Sequence, residues 1–409
     1  MPVCAKFFIN DKAMSLPKRF ITFLFVTSLA LAASGDEPQQ QNPTVTTNKT
    51  DGRPLTQIAI LLDTSGSMRG LIDQARCQLW NAVSELAKAS RNGAPIKLEI
   101  AIYQYGCSPS VVRQVTGFTE DLDEVSRALF SLKIGGSKEF CGQAINQALD
   151  ALEWTSAPSA YRAIFIAGNE SFDQGKVNYG EALPKALSKK VLINSIFCDN
   201  KAKGNTALLP QWESAAQLVG GLSFQINHNH HLPELNTPFD ARIRKLNTEM
   251  NATFVWYGDG GEEAAANQKT QDENMAKMSD HAFAARMSAK IGHLYHHAHH
   301  DLIDALDHKM VDLNKMPAAI MPDNLRAMSN KQRMAFLNQK IAERQKIRRK
   351  MADIISQRHA FVQQKMSQMP NTKTAKVNVL GDALVRAVRS QAIARGFEFE
   401  ENRTAQVTK

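Results

Sequence analysis

Aromatic side chains make up only 7% of the chain, and no basic and aromatic motif of the kind that stacks RNA bases is present, so nucleic acid is not an expected partner. No apolar run reaches the roughly 20 residues that cross a bilayer as a helix. Glycine (22) and proline (15) are too few in 409 residues for collagen-like or low-complexity sequence. Charge of one sign is only slightly in excess: 49 basic residues against 40 acidic give +9, less than a dedicated nucleic-acid binder carries. What is present is globular composition, 43% hydrophobic and 22% charged, at a length that suits two or three folded units.

Lys18 and Arg19 precede a short apolar run, Phe20 to Ala32, that ends in the small-residue pattern Ala30-Leu31-Ala32. This reads as a cleaved signal peptide over residues 1–32, with Met14 a better start than Met1, and it predicts a secreted or periplasmic protein. Residues 33–55 are polar and rich in turn formers, as in a linker. Of five cysteines, Cys4 would leave with the signal. Three pairings of the other four are open in an oxidising compartment. The expected bridge is Cys141 to Cys198, since both fall near strand ends, leaving Cys77 for Cys107; buried thiols are the alternative.

Ile58 to Leu62 is a short, continuously apolar run, the pattern of a strand buried on both faces, and Ala75, Leu79, Val83 and Leu86 after it keep helical spacing. Such runs recur at 98–103, 111–115, 163–167, 191–197 and 220–226, with helical patterns around 125–132, 144–152, 179–187 and 212–218 between them. The alternation predicts an α/β, doubly wound, mostly parallel sheet covered on both faces. It stops near residue 235. Residues 236–322 read as a mostly helical connecting region and 323–409 as a basic helical region. Within it, a long stripe over 324–369 is expected to form a coiled-coil-like hairpin with a last helix, Ala383 to Arg395, after a turn at 370–373.

The residues richest in chemistry are Asp63-Thr64-Ser65-Gly66-Ser67, where the first buried strand gives way to the first helix. Ligands of open parallel sheets sit at this edge. One carboxylate and two hydroxyls on alternate positions can converge on a hard divalent cation; a plain helix cap is the alternative. At this point the chain resembles the von Willebrand factor type A (VWA) domain over roughly residues 56–228, within a domain of 56–235. The segments 135–142, 164–170 and 196–198, with the helical tail, look like a group of exported bacterial proteins that carry this domain.

The resemblance implies a six-stranded sheet and a metal-ion-dependent adhesion site for Mg²⁺ or Ca²⁺, with Asp63, Ser65 and Ser67 as its opening motif. Its second loop would place Glu139 where the family has threonine. Its third would offer Asn169, Glu170 or no ligand in place of aspartate. With two carboxylates near the ion, an acidic partner would gain less by completing the shell.

His293, His296, His297 and His300 would share one face of a helix and could take Zn²⁺ or Cu²⁺. Residues 331–350 carry eight bases and one acid, a solvated helix face or an attraction to an anionic envelope surface. The combined expectation is an exported, non-enzymatic protein that binds a protein partner through the cation. The alternatives are a metal-dependent hydrolase using Asp63, Glu139 and a histidine of 228–231, or a His-rich zinc- or copper-binding periplasmic protein.

Overall fold

The computed structural model describes residues 52–107, 111–199, 205–229, 235–368 and 379–400. The expected signal peptide, residues 33–51 of the linker, His230, His231 and the turn at 370–373 lie outside them.

The chain runs β1 (Leu55–Asp63), α1 (Arg69–Leu86), β2 (Ala89–Arg91), β3 (Ala94–Pro95), β4 (Lys97–Tyr105), β5 (Val112–Thr119), α2 (Leu122–Phe130), α3 (Cys141–Ala151), β6 (Tyr161–Gly168), α4 (Tyr179–Lys189), β7 (Leu192–Asp199), α5 (Leu209–Gln217) and β8 (Ser223–Asn227). Six of these strands form a sheet in the order β5-β4-β1-β6-β7-β8. β5 is antiparallel to β4, and the other pairs are parallel. The doubly wound expectation holds. β1 shows why: Ile58, Ile60 and Leu62 enter the core on one face, while Ala59 and Leu61 enter the core on the other, the two-residue period of a strand with no wet side.

Beyond the sheet come α6 (Asp240–Asn251), α7 (Gly261–Met278), α8 (Asp280–Lys290), α9 (Leu302–Asp307), α10 (Asp323–Arg326), α11 (Asn330–Ser367), α12 (Leu380–Ile393) and β9 (Glu398–Phe399). The largely helical carboxy-terminal part is as expected. Its side chains join the core on one face of the sheet: Ile243, Met250, Met275, Met287, Met351 and Leu384 belong to the same apolar cluster as Ile58, Trp80 and Phe165. No helix among the described residues is long and apolar enough to cross a membrane.

Two expectations about this part are corrected. α11 and α12 are not a hairpin. α12 docks on α1, where Gln391 bonds the buried Tyr161 hydroxyl at 2.7 Å and Asn194 at 2.7 Å. β9 then pairs with β2, which is held to β3 by a two-residue turn of Asn92 and Gly93, both at positive φ.

α11 instead buries Leu337, Arg344, Ile347, Met351, Ile354 and Arg358, a spacing near the 3.5 residues of a coiled-coil seam. It packs chiefly on α6, antiparallel to it: Arg358 meets Asp240 at 2.7 Å at one end, and Arg344 meets Thr253 at 3.0 Å at the other. Apolar spacing marks the face a helix must cover, but not which neighbour covers it.

The second correction concerns the histidines. Residues 291–300 are turns between α8 and α9, not a helix, so His293, His296, His297 and His300 share no helix face. His293 lies against the backbone of Ile96, the His296 and His308 rings meet at a tilt with centroids 4.3 Å apart, and His300 lies over Gly260.

His297 is placed differently. It is 4% exposed, with Nε2 3.3 Å from Asp123 and Nδ1 3.8 Å from Asp121. Burial opposes its charge, yet the two carboxylates outweigh burial and raise its pKa to about 10. A group whose folded pKa lies above its unfolded value near 6.5 stabilises fully below the latter and loses that contribution as pH rises through the former. His297→Gln is therefore expected to cost about 2–4 kcal/mol at pH 6, with the deficit shrinking toward pH 10. Urea melts of both proteins across that range check it; a deficit independent of pH would show that His297 is uncharged.

Candidate metal centre

β1 delivers Asp63 to the carboxyl edge of the sheet, and the chain then turns through Ser65 and a short 3₁₀ turn, Gly66–Met68, into α1. The turn is tied to its neighbours. Thr64 gives both its backbone N–H (2.8 Å) and its hydroxyl (2.9 Å) to the carbonyl of Tyr105 at the end of β4. Gly135 N–H bonds the Thr64 carbonyl at 2.9 Å, which brings in the loop that carries Glu139.

Within the turn, Ser65 N–H donates to Asp63 Oδ1 at 2.7 Å, and the Ser65 and Ser67 hydroxyls are 3.3 Å apart. Asn169, just past β6, donates from Nδ2 to Ser67 Oγ at 3.5 Å. The Glu139 side chain hydrogen-bonds Ser65 and accepts from Gln174 Nε2 at 3.4 Å. Glu170 acts on Asp63 and Glu139 through its charge, while its backbone carbonyl accepts from Trp212 Nε1. All six residues picked from the sequence thus meet at one place.

The electrostatics of the cluster are unsettled by its own charges. Burial raises the Asp63 carboxyl most, its hydrogen bonds with Ser65 lower it and the charges of Glu139 and Glu170 raise it, for a net value of about 7. Burial also raises Glu139, with the charge of Glu170 adding to it. Asp63 Oδ2 is buried and has no hydrogen-bond partner. An all-oxygen set of two or three carboxylates and two hydroxyls, with one carboxylate oxygen left over, fits a hard divalent cation such as Mg²⁺ or Ca²⁺.

Two residues of the site, Gly106 and Gln174, escaped the sequence reading, and His228 entered it only as one of the histidines of 228–231. Gly106, at φ +87°, has no room for a side chain: a Cβ there would sit 2.7 Å from Asp63 Oδ1. Gln174 reaches Glu139 from a loop, so no periodicity flags it. His228, 1% exposed, lies with its ring against the backbone of Ser67 and Asp199.

The expected disulfides are absent: none of Cys77, Cys107, Cys141 and Cys198 is bridged. Cys141, at the start of α3, packs in the cluster on one face of the sheet and Cys198 in the cluster on the other, so neither can reach across the strands to the other. Burial pushes the thiol pKa of Cys77 up to about 11, and those of Cys141 and Cys198 far above the usual value. They remain protonated and poorly reactive.

A second group, Asp121, Asp123 and His297, holds ligand atoms within 4.8 Å of one another and so could hold an ion. Its own neighbours already balance it. Asp123 is held by Arg286 at 2.6 Å and by the Tyr295 hydroxyl at 2.7 Å. Arg286 also meets Asp272 at 2.7 Å, and Lys290 meets Asp272 at 3.0 Å. Asp121, Asp123 and Asp272 thus face Arg286, Lys290 and His297.

Residues 57–207 match the von Willebrand factor type A domain. Among solved structures the chain is similar to an aerotolerance-related membrane protein from Bacteroides fragilis NCTC 9343, at 18% identity and a TM-score of 0.28, covering 42% of this chain and 93% of that one. It is also similar to a von Willebrand factor type A protein from Catenulispora acidiphila, at 15% identity and a TM-score of 0.32, covering 42% of this chain and 39% of that one. No curated protein matches it. The chain carries a von Willebrand factor type A domain, continued on its carboxyl side by a largely helical region.

Proposed function

We propose that this is an exported, non-enzymatic binding protein whose type A domain engages a protein partner through a divalent cation. The observation that carries the reading is the buried, unpartnered Oδ2 of Asp63 beside Glu139 and the paired hydroxyls of Ser65 and Ser67. These four residues would hold Mg²⁺ or Ca²⁺, with Asn169 and Glu170 at the open side. When bound, the cation offers a coordination position to an oxygen of the partner. Because Asp63, Glu139 and Glu170 already bring negative charge, a neutral oxygen suits that position better than a carboxylate.

A cation that binds only the folded chain stabilises it by mass action, about 2.7 kcal/mol at a hundredfold excess over Kd. Adding Mg²⁺ or Ca²⁺ to EDTA-treated protein is therefore expected to raise Tm. Asp63→Ala should abolish the rise while leaving the metal-free protein at least as stable, since it removes a buried carboxyl with an unmet oxygen. A wild-type melting curve indifferent to both cations would remove the cation from the reading.

The hydrolase alternative has less support. His228 is enclosed, and no other histidine among the described residues approaches Asp63 or Glu139. The His-rich metal reading loses the shared helix face on which it rested. Export rests on the signal-like pattern of residues 18–32. Attraction to an anionic surface through 331–350 rests on the exposed Lys331, Lys346, Arg349 and Lys350, since Arg344 is turned inward.

A further inference from the structure

Between α9 and the amino-terminal half of α11 lies a groove of about 440 Å³, within the size range of small-molecule sites. Ile303 and Leu306 from α9 and Met334, Leu337 and Ile341 from α11 make its aliphatic part, and the rest of the lining is polar, with Asp304 and Asp307 on the α9 side. Met334 is 44% exposed at the rim.

At the far end stands Arg348. Its Nε is buried without a hydrogen-bond partner. Arg344, one turn earlier, differs in having its acids in hand, with Asp301 at 2.7 Å and Asp304 at 3.0 Å. Those two carboxylates and Asp307 act on Arg348 only through longer-range attraction, and burial together with the charge of Arg344 outweighs them in lowering its pKa. A desolvated guanidinium without a close anion is a strong carboxylate receptor, by charge and by its fork of donors.

The groove also has a direction. From Met334 to Arg348 along α11 is about 21 Å at 1.5 Å per residue, apolar over its first half and cationic at its end. No strand edge borders it and no aromatic ring lines it, so neither an added β-strand nor a planar ring system is the natural occupant. We infer that this groove binds a linear aliphatic monocarboxylate, its head on Arg348 and its tail along Ile341, Leu337 and Met334. The site is separate from the cation cluster and does not depend on it.

Decanoate and decan-1-ol, titrated into the full-length protein in EDTA by calorimetry, test this. The expected result is saturable one-site binding of decanoate, at least tenfold tighter than the alcohol. Arg348→Met keeps most of the apolar stem and should bring the acid down to the level of the alcohol. Asp307→Asn, which removes a competing acid at the rim, should tighten decanoate alone. Should Arg348→Met fail to fold, the ratio of acid to alcohol and the response to Asp307→Asn still decide. Equal affinity for acid and alcohol, no saturable decanoate binding, or a folded Arg348→Met protein that still prefers the acid overturns the inference.

Discussion

A chain truncated before Val379 is expected not to fold. The segment from α12 through β9 buries Leu380, Leu384, Val388, Phe397 and Phe399 in the core shared with α1 and the sheet. Each such side chain contributes about 1.5–3 kcal/mol when fully buried, so together they approach the roughly 5–15 kcal/mol by which a whole domain is stable.

The truncation also orphans polar groups. Tyr161 and Asn194 are buried and would lose their bonds to Gln391, at about 1–3 kcal/mol for each unsatisfied group. The type A domain therefore should not survive as an independent unit, in contrast to the expectation from an α11–α12 hairpin, in which the sheet would be untouched. Circular dichroism melts of the soluble fraction decide the matter. A cooperative transition close to that of the full chain would mean that α12 contributes little to the fold.

Arg286→Met should cost about 3–5 kcal/mol, the usual penalty for breaking a buried ion pair from one side. Arg286 is 0% exposed, and its guanidinium joins Asp123 of α2 to Asp272 of α7 while lying 4.6 Å from the centre of the Trp80 ring of α1. Burial works against the Asp123 charge, but Arg286 and His297 hold its pKa well below the ordinary carboxylate range.

Without Arg286, Asp123 and Asp272 would stay buried with His297 and Lys290 as their remaining cations. Burial, with the charge of Arg286 adding to it, lowers the pKa of Lys290 to about 8, and its ammonium bonds Asp272 rather than Asp123. The double variant Asp123→Asn with Arg286→Met is expected to recover part of the loss, because coupled partners are not additive. Chemical denaturation of the single and double variants measures this. Additive losses would mean that Arg286 acts through packing rather than charge.

Much of the sheet could be read from the sequence. Strands buried on both faces leave unbroken apolar runs such as Ile58 to Leu62, and the helices between them keep a clean stripe. The cation cluster was legible for a related reason. Asp63, Ser65 and Ser67 sit within five residues of one another, so their convergence is local, and the strand end fixes where they point. Glu139, Asn169 and Glu170 were reached only through the resemblance to the type A domain, because no local spacing ties their loops to Asp63.

What lay beyond reach was everything that depends on partners distant in sequence. Cys141 and Cys198 belong to opposite faces of the sheet, and only the direction of each side chain within the folded layers reveals it. His293 to His300 keep helical spacing yet form turns, because His297 is drawn to Asp121 and Asp123, more than 170 positions earlier. Arg344 reads as part of a solvated basic face until Asp301 and Asp304 are brought against it. The sequence by itself determined the alternating core and the local oxygen cluster at its edge, because both follow from side-chain period and short spacing. Only the tertiary structure decided which helix covers which face and which charges are neutralised inside, because those choices rest on desolvation and contact between segments whose separation along the chain carries no pattern.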